Sequence, residues 1–205
     1  DRLLEDGPEG VRQGDDAGRR LLVADPEQAQ ATVKANGGSV EVAPSQVSRR
    51  GRHALFRDPA DALFGVLFSD SGDPPDFEVA IGEFFWVDLF ARDVEKMTAF
   101  YKQLAPYEVT TRAITEDVSR TLLSAHGMAR AGIVPVDEEA NRSAWVPYVR
   151  VADVEATLER VVQGGGFAII PPDERLHDGN VAVFVDPNGG VTGIVKWDYD
   201  KEAGQ

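Results

Sequence analysis

The 205-residue sequence predicts an α+β fold built from tandem βαβββ modules. Two observations carry this prediction. Residues 23–68 overlay residues 151–196 without a gap, with 14 identities in 46 positions. In both copies the signals for a helix start, a helix end and a hairpin turn recur at the same places. A gap-free match of this length indicates duplication of one supersecondary unit.

Composition and charge exclude several classes of protein and site. The net charge of −14, from 21 basic and 35 acidic residues, argues against nonspecific binding to nucleic acids or anionic membranes. The absence of cysteine excludes disulfides, thiolate metal sites and cysteine nucleophiles. No apolar stretch is long enough to span a bilayer. We expect a cytoplasmic protein. Because the chain begins at Asp1, an exported form whose leader has been removed is the alternative.

A third, weaker copy begins in the middle of the chain, where residues 92–95 match residues 152–155. Each of the three copies begins with a strand that leads into a helix. The strands are predicted at residues 19–23, 84–90 and 145–151. Asp25, Asp93 and Asp153 follow them at the N-cap position, where a short acceptor satisfies free backbone N–H groups. The first and third helices end at Asn36 and Gly164, each followed by a glycine that tolerates the left-handed closing conformation.

Three short strands complete each copy. In the last copy they are predicted at residues 167–170, 181–185 and 191–197. The last two are joined by Asp186-Pro187-Asn188-Gly189, a strong hairpin-turn signal. Asp58-Pro59 marks the same turn in the first copy. The repeating unit is therefore βαβββ.

This unit resembles the module of the vicinal oxygen chelate superfamily, which includes glyoxalase, bleomycin-resistance and extradiol dioxygenase proteins. Residues 84–89, with Phe100-Tyr101 on the following helix, are similar to the opening of a glyoxalase-like module. Residues 145–148 through 186–189 are similar to a closing one. The resemblance implies that two modules pair and that their eight strands curl into a cup that holds a ligand.

Polar segments divide the chain into predicted domains. Residues 69–82 read as a linker and residues 1–18 as an irregular or disordered arm. Residues 83–199 are expected to form a complete two-module domain, with modules at 83–136 and 144–199. Residues 19–68 are a single module, which leaves a sheet edge and a sheet face uncovered. We therefore expect this module to pair with a second chain, as a homodimer or by module swapping, or to pack on residues 83–199.

Strand alternation places Trp86, Asp88, Tyr148 and Arg150 on the floor of the predicted cup. An acid, a base and two amphipathic aromatic side chains on one surface form a candidate small-molecule site. Two interpretations stay open. These residues contact a ligand, or they are structural, with Asp88 paired to Arg150 and the aromatic rings filling core.

The positions that the resemblance assigns to metal ligands cannot donate to a metal. One ligand comes from each first strand, seven residues before the helix N-cap, and these positions hold Trp86 and Val146. The last-strand positions fall near Gly193 and Gly65. The three histidines, each in a different module, are His53, His126 and His177. We therefore predict that the protein binds no metal and no other cofactor.

Three functions remain open, because one fold hosts many activities. The first is a metal-free cup protein that binds a small organic molecule. The second is a glyoxalase- or dioxygenase-type enzyme, a lyase, isomerase or oxygenase, with a relocated site. In it Asp88 or His126 would act as base and Arg150 would hold an oxyanion. His126 is the weaker candidate, since its place in a turn is typical of a solvated residue. The third is an assembly or accessory protein whose partner surface is the module 19–68.

Overall fold

The computed structural model describes residues 20–23, 25–47, 51–69, 78–137 and 143–199. The predicted arm at 1–18 and the linker residues 70–77 lie outside these ranges. Within them the chain forms twelve strands in two mixed sheets and three α-helices, which confirms the α+β prediction. No helix in these ranges is long and apolar enough to cross a membrane.

The first module forms a four-stranded sheet. Its elements are β1 (Arg20–Leu22), α1 (Pro26–Ala35), β2 (Ser39–Val47), β3 (Gly51–Arg57) and β4 (Leu63–Phe68). The strand order is β1-β4-β3-β2, with β1 parallel to β4 and the other pairs antiparallel. Within the described residues β1 therefore has one free edge.

The rest of the chain forms an eight-stranded sheet in the order β10-β11-β12-β9-β5-β8-β7-β6. Its strands are β5 (Phe84–Ala91), β6 (Glu108–Ala113), β7 (Ser119–Ala125), β8 (Met128–Pro135), β9 (Ala144–Arg150), β10 (Phe167–Ile170), β11 (Val181–Val185) and β12 (Val191–Val195). Its helices are α2 (Val94–Leu104) and α3 (Val154–Gln163). The first strands of the two modules, β5 and β9, pair antiparallel at the centre, and β8 and β12 flank them in parallel.

The predicted helix starts and turns are confirmed. The carboxylates of Asp25, Asp93 and Asp153 each accept a hydrogen bond from a backbone N–H three residues ahead. Such caps contribute about 1 kcal/mol each. Asp58 and Asp186 occupy equivalent hairpin turns, where one carboxylate oxygen accepts from the N–H groups two and four residues ahead.

The first module packs on helix α2. The ring of Phe64 lies 5.4 Å from that of Tyr101 and 6.0 Å from that of Phe100. The hydroxyl of Tyr101 donates to Asp58 Oδ2 at 2.8 Å and accepts from Trp145 Nε1 at 2.8 Å. The two sheets thus share one core on the helix side. Pairing of this module with a second chain, and the domain boundaries, stay predictions.

Candidate functional site

The central strands β5 and β9 bring three of the four predicted floor residues together. Trp86 and Tyr148 are partners across the antiparallel pair, and Asp88 lies two residues further along β5. Leu89 packs in the core with α2, and Val149 packs in the core with α3. Because side chains alternate along a strand, Trp86, Asp88 and Tyr148 lie on the opposite face. We call this the helix-free face of the eight-stranded sheet.

Asp88 is the centre of a buried polar cluster. Its side chain is fully buried, and it accepts hydrogen bonds from Trp86 Nε1 at 2.8 Å and Arg120 Nη2 at 2.8 Å. The hydroxyl of Tyr148 is its third donor. Three donors surround the carboxyl group, and they suit its ionised form. We refer to Trp86, Asp88, Arg120 and Tyr148 as the Asp88 cluster.

Burial dominates the electrostatics of the cluster. It raises the pKa of the Asp88 carboxyl above its ordinary value, although the Arg120 charge and the hydrogen bonds from Trp86 and Tyr148 oppose the rise. Burial, and then the neighbouring carboxylate, also raise the pKa of the Tyr148 hydroxyl far above its ordinary range. Tyr148 is therefore a proton donor in hydrogen bonds at physiological pH and does not act as a phenolate.

The structural interpretation that paired Asp88 with Arg150 is wrong. The cation on Asp88 is Arg120 of β7. Arg150 Nε and Nη2 donate to the carbonyl oxygen of Trp197 at 3.1 and 2.8 Å, and Nη1 donates to that of Val79 at 2.7 Å. Its guanidinium also lies 4.8 Å from the centre of the Tyr199 ring. Arg150, the last residue of β9, therefore holds two segments by hydrogen bonds. One precedes β5, at Val79, and the other follows β12, at Trp197. A ligand-binding role for Arg150 stays a prediction.

Two glycines make room for the cluster. A Cβ atom at Gly132 of β8 would overlap Asp88 Oδ1 and the Arg120 side chain, and one at Gly193 of β12 would overlap the Tyr148 ring. A glycine inside a strand often marks such a close approach. Arg120 is a member of the cluster that the sequence analysis did not predict.

The residues on this face do not fit the metal that the superfamily implies. The first-strand positions hold Trp86 and Val146, which have no donor atoms for a metal. The predicted last-strand positions, near Gly193 and Gly65, have no side chain to donate, and the Tyr148 ring fills the space over Gly193. Asp88 already accepts three hydrogen bonds. Among the described residues no three His, Asp or Glu side chains are grouped as metal ligands. We derive no chemical step through a metal.

His126 lies apart from the cluster. With Gly127 it forms the two-residue turn between β7 and β8, at φ values of 55° and 76°. Six residues of extended chain separate it from Arg120, or roughly 20 Å. The structure therefore does not bring this weaker candidate, the alternative base, together with the Asp88 cluster.

Two clefts lie elsewhere on the described surface. One, of about 660 Å³, is lined by residues 92–95 at the start of α2. The other, of about 420 Å³, lies at the start of α1 beside Arg52 and Phe68. Neither contains a member of the Asp88 cluster. Because neither cleft contains any of the predicted site residues, the helix-free face remains the candidate site.

A family model for a glyoxalase-like domain matches residues 85–195. Among curated proteins, the anthracycline biosynthesis protein DauV of a Streptomyces species is 29% identical over 168 residues, which cover 80% of this chain and 59% of that protein. The putative glyoxylase CFP32 of Mycobacterium bovis is 22% identical over 176 residues, 86% of this chain and 67% of that protein. The chain thus spans about three fifths of the length of the anthracycline relative.

Solved structures share the fold. The Mn(II)-bound glyoxalase from Novosphingobium aromaticivorans superposes with a TM-score of 0.52 at 20% identity, over 83% of this chain and 58% of that one. The 2,3-dioxygenase LapB from Pseudomonas sp. KL28 superposes with a TM-score of 0.54 at 13% identity, over 88% and 70%. At these identities the likeness establishes the fold alone.

Proposed function

This chain is a member of the glyoxalase-like domain family, within the vicinal oxygen chelate superfamily, and on that premise we propose that its eight-stranded sheet binds a small organic molecule on the helix-free face without a metal. The observation that carries the proposal is the Asp88 cluster. The cluster combines a cation, a buried carboxylate and two amphipathic rings on one face of the sheet, which supports the proposal.

The environment of the cluster supports an apolar or aromatic ligand. Trp86 is half-buried and packs in one core cluster with Tyr148, Phe90, Val181 and Val191. Indole and phenol rings offer large apolar faces together with a polar handle. A mostly apolar surface with a few convergent polar groups is the usual composition of a small-molecule site.

The name of one relative suggests the first ligand class to test. DauV is described as an anthracycline biosynthesis protein, and anthracyclines are fused-ring aromatic compounds. We take from this only the choice of probe, a two-ring aromatic molecule. The pair 2-naphthoate and 2-naphthamide has the same ring system and differs in charge.

Backbone amide NMR spectra test the proposal, because two glycines report directly on the site. Saturation with either probe should shift the amide signals of Gly132 and Gly193, which lie under the cluster. The signals of Gly37, after α1, and Gly164, at the end of α3, should not move and serve as internal controls. The titration should be unchanged by EDTA.

Two outcomes would overturn the proposal. One is the absence of any shift at Gly132 and Gly193 with both probes at millimolar concentration. The other is binding that EDTA abolishes and a divalent metal restores, which would return the site to the metal chemistry of the superfamily.

A further inference from the structure

The hairpin β6–β7 carries two arginines opposite each other. Arg112 and Arg120 are partners in the antiparallel register, so their side chains lie on the same face of the sheet. That face is the helix-free one, because Arg120 reaches Asp88 there. Like charges directly opposite each other in a sheet are destabilising. Two facing arginines are therefore unexpected in a chain with a net charge of −14.

Among the described residues, neither arginine has an acceptor for every guanidinium donor. Arg120 Nη2 donates a hydrogen bond to Asp88. Its Nε is buried and has no acceptor in the described part of the chain. Buried donors are rarely left unpaired. The Arg120 side chain is 31% exposed, so a ligand on this face can reach part of it. Arg112 is exposed and makes no ion pair with any described residue.

The surrounding charges leave one cation in excess at this place. Asp88 neutralises Arg120, and Arg112 remains. Glu116 and Asp117, in the loop between the two strands, form no ion pair with either arginine. Glu108 shares the face with Arg112, but four residues of strand place it roughly 13 Å away. An acceptor that bridges Arg112 and Arg120 would relieve their repulsion and accept from the guanidinium donors that remain exposed.

The two halves of the helix-free face differ in chemistry. Beyond Tyr148, the strands β11 and β12 contribute valines, among them Val183 and Val195 in the core cluster of this face. On the other side of the cluster lie the two arginines. A ligand that uses both halves has an apolar ring system and an acidic group, and a guanidinium matches a carboxylate bidentately.

Resting on the proposed function, we propose that the ligand is an aromatic organic acid whose carboxylate binds between Arg112 and Arg120. The ring system then lies toward Trp86 and Tyr148. Asp88 acts as a positioning residue, because it holds one edge of the Arg120 guanidinium and leaves the rest for the ligand.

Calorimetric titration of the whole chain with 2-naphthoate and 2-naphthamide at low ionic strength tests this assignment. Wild-type protein should bind the acid about tenfold more tightly than the amide. Arg112→Gln should lose that preference and leave the affinity for the amide unchanged. Arg160→Gln, which removes one positive charge from helix α3, is the matched control and should keep the preference.

Arg120→Lys is the second variant. It keeps the charge beside Asp88 but lacks the planar fork, so it should also weaken binding of the acid more than binding of the amide. If this variant does not fold, Arg112→Gln alone decides. Equal binding of acid and amide by the wild type, or an equal effect of Arg112→Gln on both, would overturn the inference and leave the proposed function standing. Failure of both probes to bind would overturn both.

Discussion

Asp88 and Arg120 form a 2.8 Å ion pair in which the carboxylate is fully buried and the arginine side chain is 31% exposed. The pair joins strands of one module across β8, above Gly132. Asp88 therefore contacts only the protein, whereas Arg120 remains partly exposed to solvent. This asymmetry is the structural basis for assigning ligand contact to Arg120 and a positioning role to Asp88.

Removal of the Asp88 carboxylate should be costly. Asp88→Ala leaves three donors without their acceptor, and we expect the free energy of unfolding to fall by about 3 kcal/mol in urea denaturation. Asp93→Ala, at the N-cap of α2, is the matched control and should lose about 1 kcal/mol. Adding Arg120→Leu to Asp88→Ala should recover part of the loss, since no unpaired guanidinium remains. A loss below 1 kcal/mol for Asp88→Ala would contradict the cluster as described.

The glycine at 193 should resist substitution for a steric reason. Its Cβ would meet the Tyr148 ring, so Gly193→Ala should lower the free energy of unfolding by about 1–3 kcal/mol. The same substitution in a Tyr148→Ala background should cost much less. Gly164→Ala, where the added Cβ has only ordinary contacts, serves as control. Equal costs of Gly193→Ala in both backgrounds would show that the ring does not occupy this space.

The contact between the first module and α2 depends on the Tyr101 hydroxyl. Tyr101→Phe leaves Trp145 Nε1 without its acceptor and Asp58 Oδ2 without its donor. We expect a loss of about 1–3 kcal/mol in the free energy of unfolding. Tyr107→Phe removes a hydroxyl of the same helix–strand connection and should cost less. Equal losses for the two variants would show that the hydrogen-bond chain does not stabilise the fold.

Asp58 should make stability depend on pH in the direction opposite to that of a salt-bridged acid. Burial raises its pKa, although backbone N–H groups and the Tyr101 hydroxyl oppose the rise. Because the folded-state pKa lies above the unfolded value near 3.8, the protonated form favours folding. The stability of the wild type relative to Asp58→Asn should therefore increase as the pH falls through the raised pKa toward 3.8. Urea denaturation between pH 7 and pH 3.5 measures this difference, and a decrease over that range would contradict the shift.

Local signals in the sequence were sufficient for most of the fold. The N-cap aspartates, such as Asp153, bind backbone N–H groups a few residues away. The helix starts can therefore be predicted from residues that are close together in the sequence. The same holds for Asp186, whose carboxylate accepts hydrogen bonds from backbone N–H groups two and four residues ahead in the last hairpin turn. Strand alternation also placed Trp86, Asp88 and Tyr148 on one face correctly, since the period of two is fixed by the backbone.

The long-range partners could not be predicted in this way. The ion pair of Asp88 with Arg120 spans 32 residues and depends on the register of β7 against β8. Arg150 donates to the carbonyl oxygens of Val79 and Trp197. Every residue has a backbone carbonyl, so the sequence does not show which one accepts. The interpretation that paired Asp88 with Arg150 was wrong because it matched opposite charges on one face without knowledge of these competing acceptors.

The most direct test of the account is the set of intermolecular nuclear Overhauser effects between the ring protons of 2-naphthoate and the whole protein. We predict contacts to the side chains of Trp86 and Tyr148, with the ring system extending toward Val181. Contacts confined to the cleft at residues 92–95, or to the first module at residues 20–68, would contradict a binding site on the helix-free face.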